Sequence, residues 1–234
     1  MKMKAIKNPI WQELKDCKLI SDTNLIKINN NTRDKKIKVL QDKKSKVIFL
    51  EKYFTNTDYY STLKNYNDLR KVSEKSKRKI ANVKTSLGNI KTPIIEDDLR
   101  RAKQFSKLLK NKDVLDFGCG WGGFLKIIKN AKSISGIELS NQEMNYIKKK
   151  LKRIEISNNI NSFSKKFDVI TLFHVLEHIP YQIKTLKLLK SKLKKKGKII
   201  IEVPHAEDFL ILQDNLKEFK NFTFWSEHLV LHTY

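Results

Sequence analysis

The chain has 234 residues, 40% of them hydrophobic, and a formal net charge of +24; this length suits one medium domain with a smaller appendage. No apolar run reaches the roughly 20 residues that span a bilayer, and nothing apolar follows the basic start Met-Lys-Met-Lys-Ala-Ile-Lys-Asn-Pro, so neither a membrane span nor a secretory signal is expected. The basic residues are 43 lysines and only 6 arginines, whereas arginine is the side chain suited to bidentate phosphate and base-edge contacts.

Lysine, asparagine and isoleucine are inflated together over the whole length, the mark of an AT-rich coding sequence rather than of a polyanion-binding face. No specific nucleic-acid partner is expected. Cys17 and Cys119 stand far apart and form no ligand or disulfide pattern, which makes a reducing, cytoplasmic location the default.

Residues 1–92 are polar, lysine-rich and poor in glycine, and read as an N-terminal accessory region. Within it Arg33 to Glu51 predicts a hairpin. Ile37 and Val39 alternate with lysines, Asp42-Lys43-Lys44-Ser45 supplies the turn, and Val47-Ile48-Phe49-Leu50 returns. The aromatic cluster Tyr53, Phe54, Tyr59 and Tyr60 follows, suited to packing or to covering a substrate, and Tyr60 to about Val83 predicts basic helices.

Residues 93–234 alternate helix and strand. Asp97–Leu109 carries apolar residues at helical spacing, Val114–Phe117 is a short strand, Phe124–Ile128 begins a helix, and Ile134–Leu139 is a second strand. Ser140 with Glu143 forms a capping box that opens a helix through Leu151. Ile154-Glu155-Ile156-Ser157 is the best candidate for a third strand, Asp168–Phe173 is another, Tyr181–Lys195 reads as a lysine-faced helix, and Ile199–Val203 is a fully apolar strand. Apolar strands separated by amphipathic helices imply an α/β fold, a mostly parallel sheet with helices on both faces.

The most informative segment is Val114-Leu115-Asp116-Phe117-Gly118-Cys119-Gly120-Trp121-Gly122-Gly123, a strand that turns into a helix through glycines. Such a turn lets a ligand lie against backbone. Alone it also satisfies the dinucleotide pattern, as Gly118, Gly120 and Gly123 with Glu138 as the ribose acid. Asp116 separates the readings: a negative charge two residues before the first glycine suits a cationic ligand, not a pyrophosphate.

The set Val-Leu-Asp-Phe-Gly-Cys-Gly-Trp-Gly at 114–122, Gly-Ile-Glu-Leu-Ser at 136–140, Phe-Asp-Val-Ile-Thr-Leu-Phe-His-Val-Leu-Glu-His at 167–178 and Gly-Lys-Ile-Ile-Ile-Glu-Val-Pro at 197–204 resembles the class I S-adenosylmethionine-dependent methyltransferases. Within them it is similar to the small-molecule group of ubiquinone-type O-methyltransferases. The resemblance covers roughly residues 95–234 and implies a Rossmann-like fold and S-adenosylmethionine as cofactor. It also implies a small-molecule acceptor, and Asp116, Gly118, Gly120, Glu138, Leu139, Phe173 and His174 around the cofactor. RNA or protein methylation, or a non-catalytic cofactor-binding module, are the rival readings.

His174, Glu177 and His178 also spell H-x-x-E-H, a zinc-peptidase pattern, but His174 directly follows a strand and Pro180 closes the segment, so a zinc hydrolase is not expected. Some quinone O-methyltransferases of similar sequence carry an acid where His174 stands and use this region for a divalent metal. His174 departs from that pattern, and no metal is expected. For a hydroxyl acceptor a histidine near neutral pKa suits proton removal; His174, His178, His205 and His228 are the candidates, His178 favoured as a structural residue and the base left open among them.

Beyond Val203 only thirty-one residues remain. Phe224 and Trp225 suit stacking on a sugar ring or closing a core, in a terminal stretch like the acceptor-side insertion of enzymes that act on bacterial surface sugars. Glu227 to Tyr234 reads as the start of a helix. The closing strands of the sheet are expected to be missing, with the natural frame running on for roughly 40–70 residues.

Overall fold

The computed structural model describes residues 4–55, 84–85, 88–89, 95–213 and 216–234. Contacts gather the chain into two units: Met1–Asn56 with Phe173–Ser191 and Ile201–Tyr234, and Thr57–Leu172 with Lys192–Ile200. No helix among the described residues is long and apolar enough to cross a membrane.

The first unit opens with β1 (Lys4–Lys7), the helix Pro9–Asp16, β2 (Leu25–Asn29), β3 (Val39–Asp42), β4 (Ile48–Leu50) and β5 (Lys52–Thr55). β3 and β4 form a hairpin with Val39 opposite Leu50 and Gln41 opposite Ile48. Its turn closes because the Asp42 carboxylate accepts from Ser45 N–H at 2.7 Å and the Asp42 carbonyl from Lys46 N–H at 2.8 Å, with Lys46 in the left-handed region at φ 64°. Trp11 stacks on Phe49 at 4.7 Å between ring centroids, inside a core that includes Ile10, Ile37, Leu50, Phe224 and Val230. Tyr53 packs against that core. Tyr59, Tyr60 and the predicted basic helices lie outside the described residues, as does the Phe54 side chain.

The second unit begins its described part with the short antiparallel pair β6 (Lys84–Thr85) and β7 (Gly88–Asn89). The helix Glu96–Leu109, β8 (Asp113–Phe117), the helix Gly123–Ile127, β9 (Ser133–Ile137), the helix Asn141–Lys150 and β10 (Ile154–Ser157) follow. β11 (Phe167–Phe173) and β12 (Leu193–Glu202) come next; the helix Gln182–Ser191 between them in the chain belongs to the first unit. The strands make a five-stranded sheet in the order β10-β9-β8-β11-β12, and the pairs β10–β9, β9–β8 and β8–β11 are parallel. Strand order reverses between β8 and β11. That is the switch point of a doubly wound, Rossmann-like α/β fold, where ligands meet the carboxyl ends of the strands. β12 comes last in the sheet, beside β11 alone among the described residues.

Three expected boundaries move. The helix predicted over Tyr181–Lys195 stops at Ser191, and β12 starts at Leu193. The Lys192 carbonyl accepts from Phe167 N–H at 2.9 Å, and the Lys194 ammonium donates to both Asp113 and Asp168, the latter at 2.8 Å. Those sheet contacts outweigh the helix propensity of a lysine-rich run. The second strand ends at Ile137 rather than Leu139, because the Glu138 side chain folds back onto the following backbone. Glu227–Tyr234 does not open a helix: Val230–Leu231 is β13, antiparallel to β4 in the sheet β13-β4-β3-β2. Leu229, Val230 and Leu231 are all buried, so consecutive apolar residues fill the core of the first unit as a strand.

Candidate functional site

In the second unit the glycine turn leaves β8 with Gly118 at φ 82° and Gly120 at φ 52°, left-handed conformations that a side chain adopts only under strain. The Ile137 carbonyl accepts from Gly118 N–H at 2.8 Å and Cys119 N–H at 3.0 Å, which fastens the turn to the end of β9. The Glu138 carboxylate accepts from Gly120 N–H at 2.8 Å, Leu139 N–H at 2.7 Å and Ser140 N–H at 2.8 Å. One acid therefore holds the loops after two neighbouring strands. The helix behind it is capped by Ser140, whose hydroxyl accepts from Glu143 N–H at 3.4 Å.

Asp116 lies one residue inside the end of β8 and is only 4% exposed. Its Oδ1 accepts the Thr171 hydroxyl hydrogen at 2.7 Å, as the parallel register that sets Thr171 against Asp116 requires. Burial pushes this carboxyl up to about 7. The Thr171 hydrogen bond and the Arg101 charge oppose the rise, and Asp98 and Glu138 add to it. A carboxylate so desolvated is a strong site for a cation.

Phe173 ends β11, and His174 follows it at φ 54°, a strained left-handed conformation for a residue with a Cβ. His174 and His178 belong to the first unit with Glu177. The His174 side chain is 49% exposed; its Nδ1 stands 3.3 Å from Glu177 Oε1 and its Nε2 3.4 Å from Glu202 Oε1. Glu177 is fully buried. Burial would raise its pKa, but the His174 hydrogen bond and the His178 field outweigh that and hold the carboxyl below its usual range.

His178 Nδ1 donates to the Glu227 carbonyl at 2.8 Å, and burial lowers its pKa. His228 Nδ1 donates to the Thr223 carbonyl at 3.0 Å, and burial pushes its pKa down to about 4. Trp225 packs edge-on to both rings and lies under Arg33, 4.5 Å from the guanidinium carbon, while Phe224 is core. His205 sits elsewhere in the unit, bridged to His232 and tilted against the Tyr234 ring.

Of the residues singled out from the sequence, Asp116, Gly118, Gly120, Glu138 and Leu139 come together in the second unit, and His174 with His178 gathers around Glu177 in the first. Sequence reasoning missed Thr171 and Gly136. A Cβ on Gly136 would lie 2.7 Å from Cys119 Sγ and 2.9 Å from Ile156 Cδ1, so only glycine lets the turn close onto β9. The motif Gly-Ile-Glu contained that residue; the cross-strand contact that demands it is invisible in one dimension.

Similar proteins bear on this arrangement. An uncharacterized protein of Methanocaldococcus jannaschii is 37% identical over 130 residues, 51% of this chain and 55% of its own. A tRNA U34 carboxymethyltransferase of Nautilia profundicola is 38% identical over 104 residues, 40% of this chain and 35% of its own. A ubiquinone biosynthesis O-methyltransferase of Coxiella burnetii is 29% identical over 101 residues, 39% of this chain and 43% of its own. The matches thus span about half, or less, of these relatives' lengths.

Among solved structures, the plantazolicin methyltransferase BpumL, in complex with a pentazolic desmethylPZN analog and SAH, matches the fold with a TM-score of 0.50 at 17% identity, covering 73% of this chain and 66% of its own. The family model described as a methyltransferase domain matches residues 94–233, well over half of the chain, and the protein therefore belongs to the methyltransferase-domain family.

Proposed function

We propose that this chain is an S-adenosylmethionine-dependent methyltransferase acting on a small-molecule acceptor, a surface or nucleotide-linked sugar. The observation that carries the cofactor is Asp116: a buried carboxyl at the glycine turn, bonded by Thr171 and destabilised as an anion by its surroundings. An ammonium beside it relieves that cost. The residues present fit the group. A Cβ on Gly120 would meet nothing within 4 Å, so open space borders the turn, and its backbone is free for close approach.

Glu138 suits the ribose. A carboxylate has about four lone-pair sites, and three backbone N–H groups use three of them. One ribose hydroxyl can join without breaking a bond, and a second displaces one N–H. Gly118, Gly120 and Leu139 complete the cofactor set proposed here in the second unit. When bound, the cofactor supplies a methyl carbon on positive sulfur, open to in-line displacement.

The chain's own task is to hold an acceptor opposite that carbon and to take a proton if the acceptor is a hydroxyl. We assign the proton to His174, which is half exposed: in the tautomer whose Nδ1 hydrogen goes to Glu177 at 3.3 Å, Nε2 carries the lone pair that takes it; His178, turned into the unit with its Nδ1 fixed, holds position. The division into an accessory region, 1–92, and a methyltransferase domain, 93–234, belongs to the same reading and is supported by the family match over 94–233.

A second reading, RNA methylation, is favoured by the tRNA-modifying relative and the charge of +24. Calorimetry with S-adenosylmethionine and with its demethylated product tests the cofactor: both should bind, and NADH should not. Incubation with labelled cofactor and either metabolite extract or total RNA then decides the acceptor. Label in RNA alone replaces the small-molecule reading.

A further inference from the structure

The geometry points to a divalent metal site in the first unit, formed by Glu177, His178 and His228, of the class that takes zinc. One ligand atom from each residue lies within 4.8 Å of the others. The ligand set differs from the H-x-x-E-H triplet of the sequence. His174 turns its Nδ1 to Glu177 Oε1 at 3.3 Å as a hydrogen-bond partner, and the third ligand comes from His228, fifty residues beyond His178.

Three observations converge on this cluster. First, both histidines are prepared as neutral ligands. A backbone carbonyl accepts only a proton-bearing nitrogen, so the bonds from His178 Nδ1 to Glu227 and from His228 Nδ1 to Thr223 place the hydrogen on Nδ1. The lone pair is left on Nε2, the tautomer and orientation that such outer bonds fix in metal-ligating histidines. His178 Nε2 then stands 3.9 Å from Glu177 Oε1, too long for a hydrogen bond.

Second, Glu177 Oε2 is buried without a hydrogen-bond partner, in a side chain that is 0% exposed. A buried charged oxygen left so is costly unless something cationic meets it. Third, the two segments are laced together around the cluster: Leu229 N–H donates to the Glu177 carbonyl at 2.8 Å, and His178 reaches the carbonyl of Glu227. The residues on either side of His228 are thereby held against residues 177 and 178.

Two imidazole nitrogens and one carboxylate oxygen are borderline donors that suit zinc, with at least one coordination position left open. In a tetrahedral zinc site with bonds of about 2.0–2.1 Å, ligand atoms stand roughly 3.3 Å apart. A contraction of at most about 1.5 Å, within reach of small side-chain rotations, assembles it.

The test uses the full chain, stripped with a chelator and titrated with Zn2+ alone, and separately with Co2+, whose visible absorption reports coordination. Wild type should bind about one Zn2+ per chain by elemental analysis, and Co2+ should give an intense four- or five-coordinate spectrum. His228→Gln and Glu177→Gln should each weaken Zn2+ binding at least about 100-fold, while His174→Ala keeps the stoichiometry. Circular dichroism checks that each variant is folded.

Wild-type protein that binds no stoichiometric Zn2+ overturns the proposal whatever the variants do. So does a folded His228→Gln that binds as wild type, or a His174→Ala that loses the metal. Cofactor calorimetry is read separately: S-adenosylmethionine binding without zinc refutes this site and leaves the methyltransferase reading standing, and the converse holds.

Discussion

Thr171 on β11 gives its hydroxyl hydrogen to Asp116 on β8 at 2.7 Å, across the one place where the order of the parallel sheet reverses. The bond compensates only part of the desolvation, so Asp116 titrates at about 7. A bound ammonium favours the charged form, and binding therefore expels the proton. The affinity for S-adenosylmethionine should fall up to tenfold per pH unit as pH drops below about 7, and calorimetry in buffers of different ionisation enthalpy should detect proton release. Asp116→Asn should bind at least about tenfold more weakly at pH 8 and show a flat profile between pH 6 and 8. An equally steep profile in the variant would assign the titration to another group.

The same carboxyl links folding to pH, and the sign is opposite to that of an ion-paired aspartate. Its folded pKa of about 7 lies above its ordinary 3.8, so between these values the folded chain keeps a proton that the unfolded chain has lost. This contribution is fully present below about pH 4 and fades as pH rises through 7. At pH 8 the buried anion costs on the order of 2–4 kcal/mol. Asp116→Asn keeps an acceptor for Thr171 and removes the charge, so without ligand it should be more stable than wild type at pH 8, by about 1–3 kcal/mol, and near equal at pH 4. Urea unfolding at the two pH values measures this, and an equal difference at both would refute the linkage.

Gly136→Ala sets a Cβ 2.7 Å from Cys119 Sγ, with Ile156 at 2.9 Å and Leu125 at 3.1 Å. Overpacking of this kind costs about 1–3 kcal/mol, and it pushes on the residue whose N–H holds the turn to Ile137. Both stability and cofactor affinity should drop. Cys119→Ala removes the nearest atom, so the double variant should recover part of the loss. A double variant no better than the sum of the singles would show that the clash lies elsewhere.

Much of the parallel sheet and its glycine turn is legible in the sequence, because its signals are local. Apolar runs of strand length, Ser140 before a helix and glycines after β8 each speak within a few residues. The errors sit where distant partners decide. Lys194 is a helix former by propensity, yet Asp113 and Asp168 draw it into a strand. Leu229-Val230-Leu231 has no turn or capping signal of its own and becomes a strand because β4, some 180 residues earlier, offers an open edge. The candidate site divides the same way: Asp116 and Glu138 announce themselves beside glycines, whereas Thr171 and His228 matter only through partners that folding supplies.

The charge of +24 rests on 43 lysines against 6 arginines, which argues for loose phosphate contacts. RNA binding by the purified chain should be weak, without sequence preference, and should decline steeply between about 50 and 200 mM salt. Competition between RNAs of different sequence, followed by a salt series, measures both properties. A complex that survives about 0.5 M salt, where the Debye length is only a few ångströms, would overturn this and favour the RNA reading.

Asn8 ties the first unit's opening helix to β4 and to the residue before β13. Its Nδ2 donates to the Leu50 carbonyl at 2.9 Å and the Leu229 carbonyl at 2.8 Å, while its Oδ1 accepts from Ile10 N–H at 3.1 Å as the helix cap. Asn8 itself is buried, so truncation leaves the Ile10 N–H uncapped and takes one donor from each carbonyl; the Leu229 carbonyl keeps the Leu50 N–H at 3.1 Å. Each such loss costs about 1–3 kcal/mol, and part of the cost is relieved by local movement, so Asn8→Ala should lose about 2–4 kcal/mol. Asn8→Asp separates the two roles: it keeps the cap acceptor, which alone is worth about 1 kcal/mol, and removes both donors. If the donors dominate, as the burial argues, Asn8→Asp is at least as unstable as Asn8→Ala, because it adds a buried charge facing two carbonyl oxygens. If the cap dominates, Asn8→Asp approaches wild type. Protease protection of residues 225–234, which include β13, should fall in step with stability in both variants, since the Leu229 carbonyl loses one of its two donors.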